Sequence, residues 1–409
     1  MKTVGLIAEY NPFHNGHKYH MEQARKLTNA DYVVVVMSGD FTQRGYPAIT
    51  DKFTRAHMAL AEGADLVLEL PVIYSTASAE YFALGAVSLL ESLGCIDALV
   101  FGSEYGELSL LRKIAQFLIS EPADYQNSLK KELSQGLSYP AARIHALSEC
   151  FPECQEDFSK VLGEPNNILA IEYLKAQEKL NSNITPYTLK RVGASYHQKS
   201  LSTVYGSATG IRNAIFHKEG SLCNLQNQMP LNAHEIFFQS LQEKPPVSIN
   251  DFSGYVSYAL LSKNTNLTAI LDIDEFLAGR ILKFSGEYET ISNFADVLKA
   301  KNYTHTRITR ALCHLMLQIT SNDMEKYQNH GISFYARALG FRKSAAPLLK
   351  AMKDNAAIPF ITKLSKASSS LNETGLSMLE QDLFASKLYH SVQKKGMAYN
   401  EYTTPLIIL

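Results

Sequence analysis

The chain has 409 residues, 46% hydrophobic and 19% charged, with a net charge of −1. That length supports a large core and two or three domains, and the near-zero charge excludes reading partners from bulk electrostatics. No basic-plus-apolar leader opens the chain and no apolar run reaches about 18 residues, so a cytoplasmic, soluble protein with no membrane span is expected.

"KTVGLIAEY" is a short, β-branched apolar run, read as a buried strand and broken at Asn11-Pro12. Helical spacing follows from Gly16 to Leu27. "DYVVVVMSG" is a second strand, nearly continuous in valine, as suits a parallel sheet covered on both faces. A helix from Asp51 to Glu62 leads to "ADLVLELP", a third strand. "SAEYFALGAVSLLESLG" is a helix ending at Gly94, "IDALVFGSE" a fourth strand, and "ELSLLRKIAQFLIS" another helix. This alternation predicts an α/β fold, a Rossmann-like parallel sheet with right-handed crossovers. After Glu121 the pattern turns mainly helical, and beyond Asn250 it reads as helix after helix. The expected division is a first domain over residues 1–215, a linker over 216–245 and a helical domain over 246–409. The five cysteines (Cys95, Cys150, Cys154, Cys223, Cys313) hold no CxxC pair, only a Cx3C, and read as reduced thiols.

"EYNPFHNGHKYHMEQARKL" (Glu9 to Leu27) leaves the first strand with three histidines at spacings of three. His14, His17 and His20 are nitrogen ligands in type, but HExxH is absent, and no metal site is assigned. A capped helix with surface histidines is a second reading. A nucleotide cradle explains more. The stretch lies beyond the carboxyl end of a strand, where parallel sheets bind ligands. Gly16 lets a phosphate approach the backbone, and a helix start presents N–H groups and positive charge. His14 and His17 add donors that stabilise charge growing on an α-phosphate as pyrophosphate departs.

"FHNGH" matches the HxGH signature of the nucleotidyltransferases and class I tRNA synthetases. The longer "GLIAEYNPFHNGHKYH", with "MSGDFTQRG", "ADLVLELP", "FGSE", "PNNILAIEYLKA", "KRVGASYH" and "SATGIR", resembles the tRNA(Met) cytidine acetate ligases, from residue 4 to about 213. The resemblance implies an adenylyltransferase-like fold that activates acetate with ATP as acetyl-adenylate. It further implies acetylation of N4 of the wobble cytidine of elongator tRNA(Met). It implies ATP contacts along Ile7, Ala8, Glu9, Tyr10, Asn11, Pro12, Phe13, His14, Asn15, Gly16, His17, Lys18, Tyr19 and His20. Further ATP contacts implied are Gly102, Asn167, Arg191, Ser207, Thr209 and Arg212. Magnesium is expected on the triphosphate. The candidate catalytic residues are His14, His17, Asp40 and Ser207.

Several of these positions carry a second reading. Asp40 and Arg44 follow the second strand, where Arg44 clamps an anion or the loop merely caps the next helix. Gly102 admits a nucleoside or makes a plain turn. Asn166 and Asn167 precede an apolar run, so either is a ready N-cap, while the family places a nucleotide-contacting asparagine here and Asn167 is preferred. From Ile184 to Lys218 there are five Lys or Arg, Lys190 and Arg191 among them, and no acid. That is an anion-binding stretch or a solvated face. "SATGIR" resembles the adenylyltransferase signature whose serine and helix start hold the β- and γ-phosphates. Ser78, Glu80 and Tyr81 line an acid pocket or form a capping turn.

From Lys299 to Lys353 ten Lys or Arg face two acids, Asp323 and Glu325, so the segment carries +8 and the remainder −9. Such a lobe attracts nucleic-acid phosphates, or is a soluble basic surface. Lys299, Lys301, Arg307, Arg310, Arg337, Arg342 and Lys343 are the RNA-binding candidates, with Tyr303, His305 and Tyr335 beside them as stacking candidates. A transferase acting on a small phosphorylated metabolite would share the first half but has little use for a basic helical lobe. A non-catalytic RNA-binding protein would have no need of the two intact phosphate motifs. No protein partner is inferred.

Overall fold

The computed structural model describes residues 1–137, 139–151, 155–191, 206–217, 223–262, 266–393 and 398–409. Its centre is a sheet of β1 (Thr3–Ala8), β2 (Tyr32–Ser38), β3 (Leu66–Leu70), β4 (Ala98–Ser103), β5 (Thr185–Lys190), β6 (Ala336–Phe341), β7 (Phe360–Ile361) and β8 (Ile407–Ile408). The spatial order is β5-β4-β1-β2-β3-β6-β7, with β8 paired to β6. The first five strands run parallel, and β6 joins β3 antiparallel. The valines of β2 alternate between two cores. Val34 and Val36 enter one, and Val33, Val35 and Met37 the other. Both faces are therefore covered, and each fully buried valine contributes about 1.5–3 kcal/mol.

The chain steps from β1 to β2 to β3, then returns to lay β4 on the other side of β1. That reversal makes the crevice beyond β1 and β4 the switch point of the sheet. The two strands pair only at Val4↔Ala98 and Gly5↔Leu99, whereas β1 and β2 stay paired from Thr3 to Ala8. Beyond Leu99 the β1–β4 ladder stops, and its carboxyl end is open.

The helix expected from Gly16 runs over Asn15–Thr28, and the next two over Lys52–Ala61 and Ala79–Ser92. Four strands were not expected, the two-residue β7 and β8 among them. β5 lies inside the stretch read as helical, and β6 inside the supposed run of C-terminal helices. "ARALGF" carries alanine and leucine, both helix formers. Tertiary pairing overrides them: Leu68 pairs with Ala338, and a Cβ on Gly340 would come within 2.7 Å of Ile407 and Leu60. The C-terminal part is thus mainly helical but closes one edge of the central sheet. Among the described residues no helix is long and apolar enough to cross a membrane.

Candidate active site

His14 is the N-cap of the helix Asn15–Thr28, so Gly16 is its second residue rather than its opening one. The Gly16 N–H donates to His14 Nδ1 at 3.1 Å, and the His14 N–H donates to His17 Nδ1 at 3.3 Å. The two rings stack, with centroids 3.7 Å apart. This is a capping box built from imidazoles. Each Nδ1 is an acceptor, so in each neutral ring the hydrogen sits on Nε2. Both histidines become N–H donors of fixed tautomer. A Cβ on Gly16 would lie 2.9 Å from His14 Cε1, so the glycine makes room for this ring.

Buried Tyr10 and Phe13 form the wall behind His17, with Tyr10 edge-on at 4.8 Å. The Asn11–Pro12 bond is cis. Burial holds the His14 imidazolium down at about 3, helped by the charges of Arg191 and Arg212. His17 lies well below the usual histidine range, first through burial, then through His14 and Arg191. His20 sits at about 4 through burial and Arg191. All three rings are neutral at pH 7.

Arg212 comes from a helix almost 200 residues further on, yet it donates to the Asn11 carbonyl at 2.6 Å and to Thr209 Oγ1 at 3.0 Å. The Gly210 N–H donates to Ser207 Oγ at 3.1 Å, at the start of that same helix. Gln228 ties the regions further: its carbonyl accepts from the Asn15 N–H and its side chain from the Gly206 N–H. On the other side of the crevice, Arg191 leaves β5, and its Cγ is 3.4 Å from where a Cβ on Gly102 would stand. The HxGH loop, Gly102, Arg191 and the 207–212 turn therefore meet at one place, at the splayed ends of β1 and β4.

The family model described as HIGH Nucleotidyl Transferase matches residues 1–403. A tRNA(Met) cytidine acetate ligase of Caldanaerobacter subterraneus is 43% identical, and one of a Thermoanaerobacter species 41%, each over the full length of both chains. The crystal structure of Thermotoga maritima TmcAL bound with alpha-thio ATP superposes with a TM-score of 0.92 at 32% identity, covering all of both chains. The chain belongs to the tRNA(Met) cytidine acetate ligase family.

Other sequence candidates of this ligase-family chain find different surroundings. Lys18 turns its ammonium to Glu62 at 2.8 Å. Asp40 is buried, accepting from the Lys52 N–H and the Ser386 hydroxyl, each at 2.8 Å. Neither Asn166 nor Asn167 caps its helix, because Glu164 is the N-cap and Pro165 begins the first turn. Asn167 is buried and receives the Tyr105 N–H, while Glu104 holds both asparagines. Ser78 stands at an N-cap position without a side-chain cap bond. With Glu80, Tyr139, Arg143, Glu172 and Lys175 it lines a polar cavity of about 480 Å³, and Tyr81 lies outside that lining.

The basic segment is partly neutralised by folding. Arg310 pairs with Asp272 at 2.9 Å, Arg307 with Asp274 at 2.9 Å and Lys299 with Asp296 at 2.6 Å. Arg342 donates to the Leu60 carbonyl. Lys301 and Lys343 are exposed. Arg337 is 4% exposed, inside an ionic cluster with Glu69, Glu401 and Lys52, and Tyr335 is 1% exposed. Neither reaches an RNA surface, which corrects the reading of both: they belong to β6 and its approach, not to a surface helix. Tyr303 is also buried.

Sequence reading missed Arg55. This wholly buried guanidinium donates to the carbonyls of Glu9, Ser38, Gly39 and Thr50, and so clamps the carboxyl ends of β1 and β2 together. The available signal was its spacing: Arg55 lies on the buried face of its helix, beside Ala56 and Ala59.

Proposed function

We propose that this chain activates acetate with ATP to acetyl-adenylate and then acetylates N4 of the wobble cytidine of elongator tRNA(Met). The observation that carries the reading is the bond from Arg212 to the Asn11 carbonyl, which joins the two phosphate motifs at the open end of β1 and β4. Acetate oxygen attacks the α-phosphorus, and the bond to pyrophosphate breaks. The cytidine amine then attacks the acetyl carbon, AMP leaves, and the amine proton passes to solvent. The Nε2–H groups of His14 and His17 donate to the phosphoryl oxygens as charge grows there. Ser207, Thr209, Arg212 and the helix start behind them hold the β- and γ-phosphates, and Arg191 adds charge from the β5 side. Gly102 and Asn167 face the nucleoside, and Mg²⁺ arrives on the triphosphate as part of the substrate.

In this reading residues 1–215 carry the activation chemistry, 216–245 connect, and 246–409 carry the RNA contacts while lending strands to the sheet. The reaction belongs in the cytoplasm, where tRNA and ATP meet. ATP–pyrophosphate exchange tests it. The rate should depend on acetate and need no tRNA. His17→Ala should lower it by about 10²–10³-fold, the cost of one transition-state donor. Exchange indifferent to acetate, or to His17, would end this account.

A further inference from the structure

Most exposed aromatic rings on a protein swing freely and lose that freedom when they bind. Phe276 is 59% exposed, yet its ring is already held. It lies parallel to Tyr303, with centroids 5.8 Å apart and planes 7° from coplanar. Tyr303 is fixed in turn, since its hydroxyl donates to Asp274 at 2.6–2.7 Å. The Arg307 guanidinium lies 4.8 Å from the Tyr303 ring centre and bonds to the same carboxylate at 2.9 Å. Tyr303 thus meets both a cation and the Phe276 ring, and Phe276 is open to solvent.

Its position links it to the nucleotide crevice. Arg307 and Thr309 share the helix His305–Leu317. Thr309 donates to the Arg44 carbonyl at 2.7 Å, and a Cβ on Gly45 would come within 2.7 Å of the Arg310 backbone. The loop after β2 is thus seated on this helix. Tyr46, in that loop, lies within electrostatic reach of Arg212, Asp296 and Lys299. Three acids near the stack are engaged, Asp274 with Tyr303 and Arg307, Asp272 with Arg310 and Asp296 with Lys299, while Glu275, next to Phe276, is exposed. Lys301 adds exposed positive charge close by.

A pre-ordered aromatic face among cations, on a wall shared with an ATP crevice, matches the chemistry of an unpaired nucleobase on a phosphate chain. We propose that Phe276, propped by Tyr303 and Arg307, is a stacking platform for one unpaired base of the RNA substrate. The proposal rests on the reading that this substrate is a tRNA. Arg307 then anchors Tyr303, the ring against which Phe276 lies, rather than only meeting phosphate.

Phe276→Ala and Phe276→Trp in the full chain test it, with three readouts: affinity for tRNA(Met), KM for tRNA in acetylation, and acetate-dependent exchange, which involves no RNA. The alanine variant should raise both Kd and KM for tRNA about tenfold while exchange keeps its rate, and tryptophan should restore binding. An alanine variant with unchanged KM for tRNA overturns the platform. So does one that weakens exchange as much as tRNA binding, which would make Phe276 a support of the fold. A shift in sedimentation between wild type and alanine variant overturns it too, because the ring would then be covered by a second copy. Wild-type protein that exchanges with acetate yet leaves tRNA unmodified refutes the RNA half of the functional reading instead.

Discussion

Around His14, burial keeps ionisable side chains neutral; around Lys52, opposite charges hold Lys52 and Glu401 charged against burial. Lys52 is wholly buried, with its ammonium 2.7 Å from Glu69 and 2.5 Å from Glu401, and Arg337 reaches Glu69 at 3.0 Å. Burial alone would raise the Glu401 carboxyl, but Lys52 and Arg337 hold it down at about 2. The His14 cluster has the opposite composition, with imidazoles beside two guanidiniums, so every neighbouring charge adds to the burial penalty. One cluster supplies its own counter-charges and is complete. The other, in the proposed reading, takes its anion from outside. Buried charge is therefore a poor guide to a site until the sign of its neighbours is known.

The Lys52 cluster offers the largest effect. Glu401→Gln keeps the shape of the side chain but leaves Lys52 and Arg337 with one carboxylate fewer between them. Removing one partner of a buried pair costs about 3–5 kcal/mol. Denaturant unfolding should show a loss of that order, although Glu401 lies in the last turn before the C-terminus. A loss under about 1 kcal/mol, the scale of an exposed pair, would mean that water reaches the cluster and that the contrast with the histidines is false.

A finer test separates stability from function at one atom. Gly16→Ala adds a methyl group 2.9 Å from His14 Cε1, the far end of a side chain. The ring can swing aside, and alanine gains up to about 1 kcal/mol over glycine within a helix. That gain offsets most of the lost cap bond, itself worth about 1 kcal/mol. The melting temperature should therefore hardly move, while acetate-dependent exchange falls about tenfold as the His14 donor leaves its line. Equal activity would show that the capping geometry of His14 has no catalytic consequence.

These two tests concern features of unequal visibility in the sequence. The four strands β1 to β4 were legible because short β-branched runs end at Asn-Pro, glycine or proline. The HxGH histidines were legible as a motif. Their reciprocal cap was not, since histidine is not a usual N-cap and only the folded loop brings each Nδ1 to an N–H. β6 was illegible because "ARALGF" has helical propensity, and what makes it a strand is β3 and Ile407, far away in the chain. Charge counting found a basic segment but could not say which cations would be consumed. The acids that bind Arg337, Arg310 and Arg307 are Glu401, Asp272 and Asp274, all outside the counted window. Phe276 escaped notice for the same reason: its support, Tyr303, comes from another element.

Acidification sharpens the comparison last. His14 at about 3 and His20 at about 4 lie below the ordinary value of 6.5 in the folded chain. Their contribution to stability is complete above 6.5 and is lost as pH falls towards those values, because the unfolded chain then binds more protons. Asp382 works the other way. Burial, and then the Glu69 charge, push it up to about 7, so its contribution is present below its ordinary value of 3.8 and is lost as pH rises through 7. Glu401 enters only below its ordinary value of 4.5. Between pH 6.5 and 4.5 the three histidines, with His57, His234, His305 and His314 also lowered by burial, oppose two raised carboxyls, Asp382 and Glu69, and the melting temperature of the free protein should fall. A bound triphosphate favours charged imidazoles, so saturating ATP should flatten that fall, and His14→Asn with His17→Asn should flatten it without nucleotide. Parallel profiles with and without ATP would place the phosphates away from these rings. A profile that rises on acidification would instead make the Asp382 side of the molecule dominant.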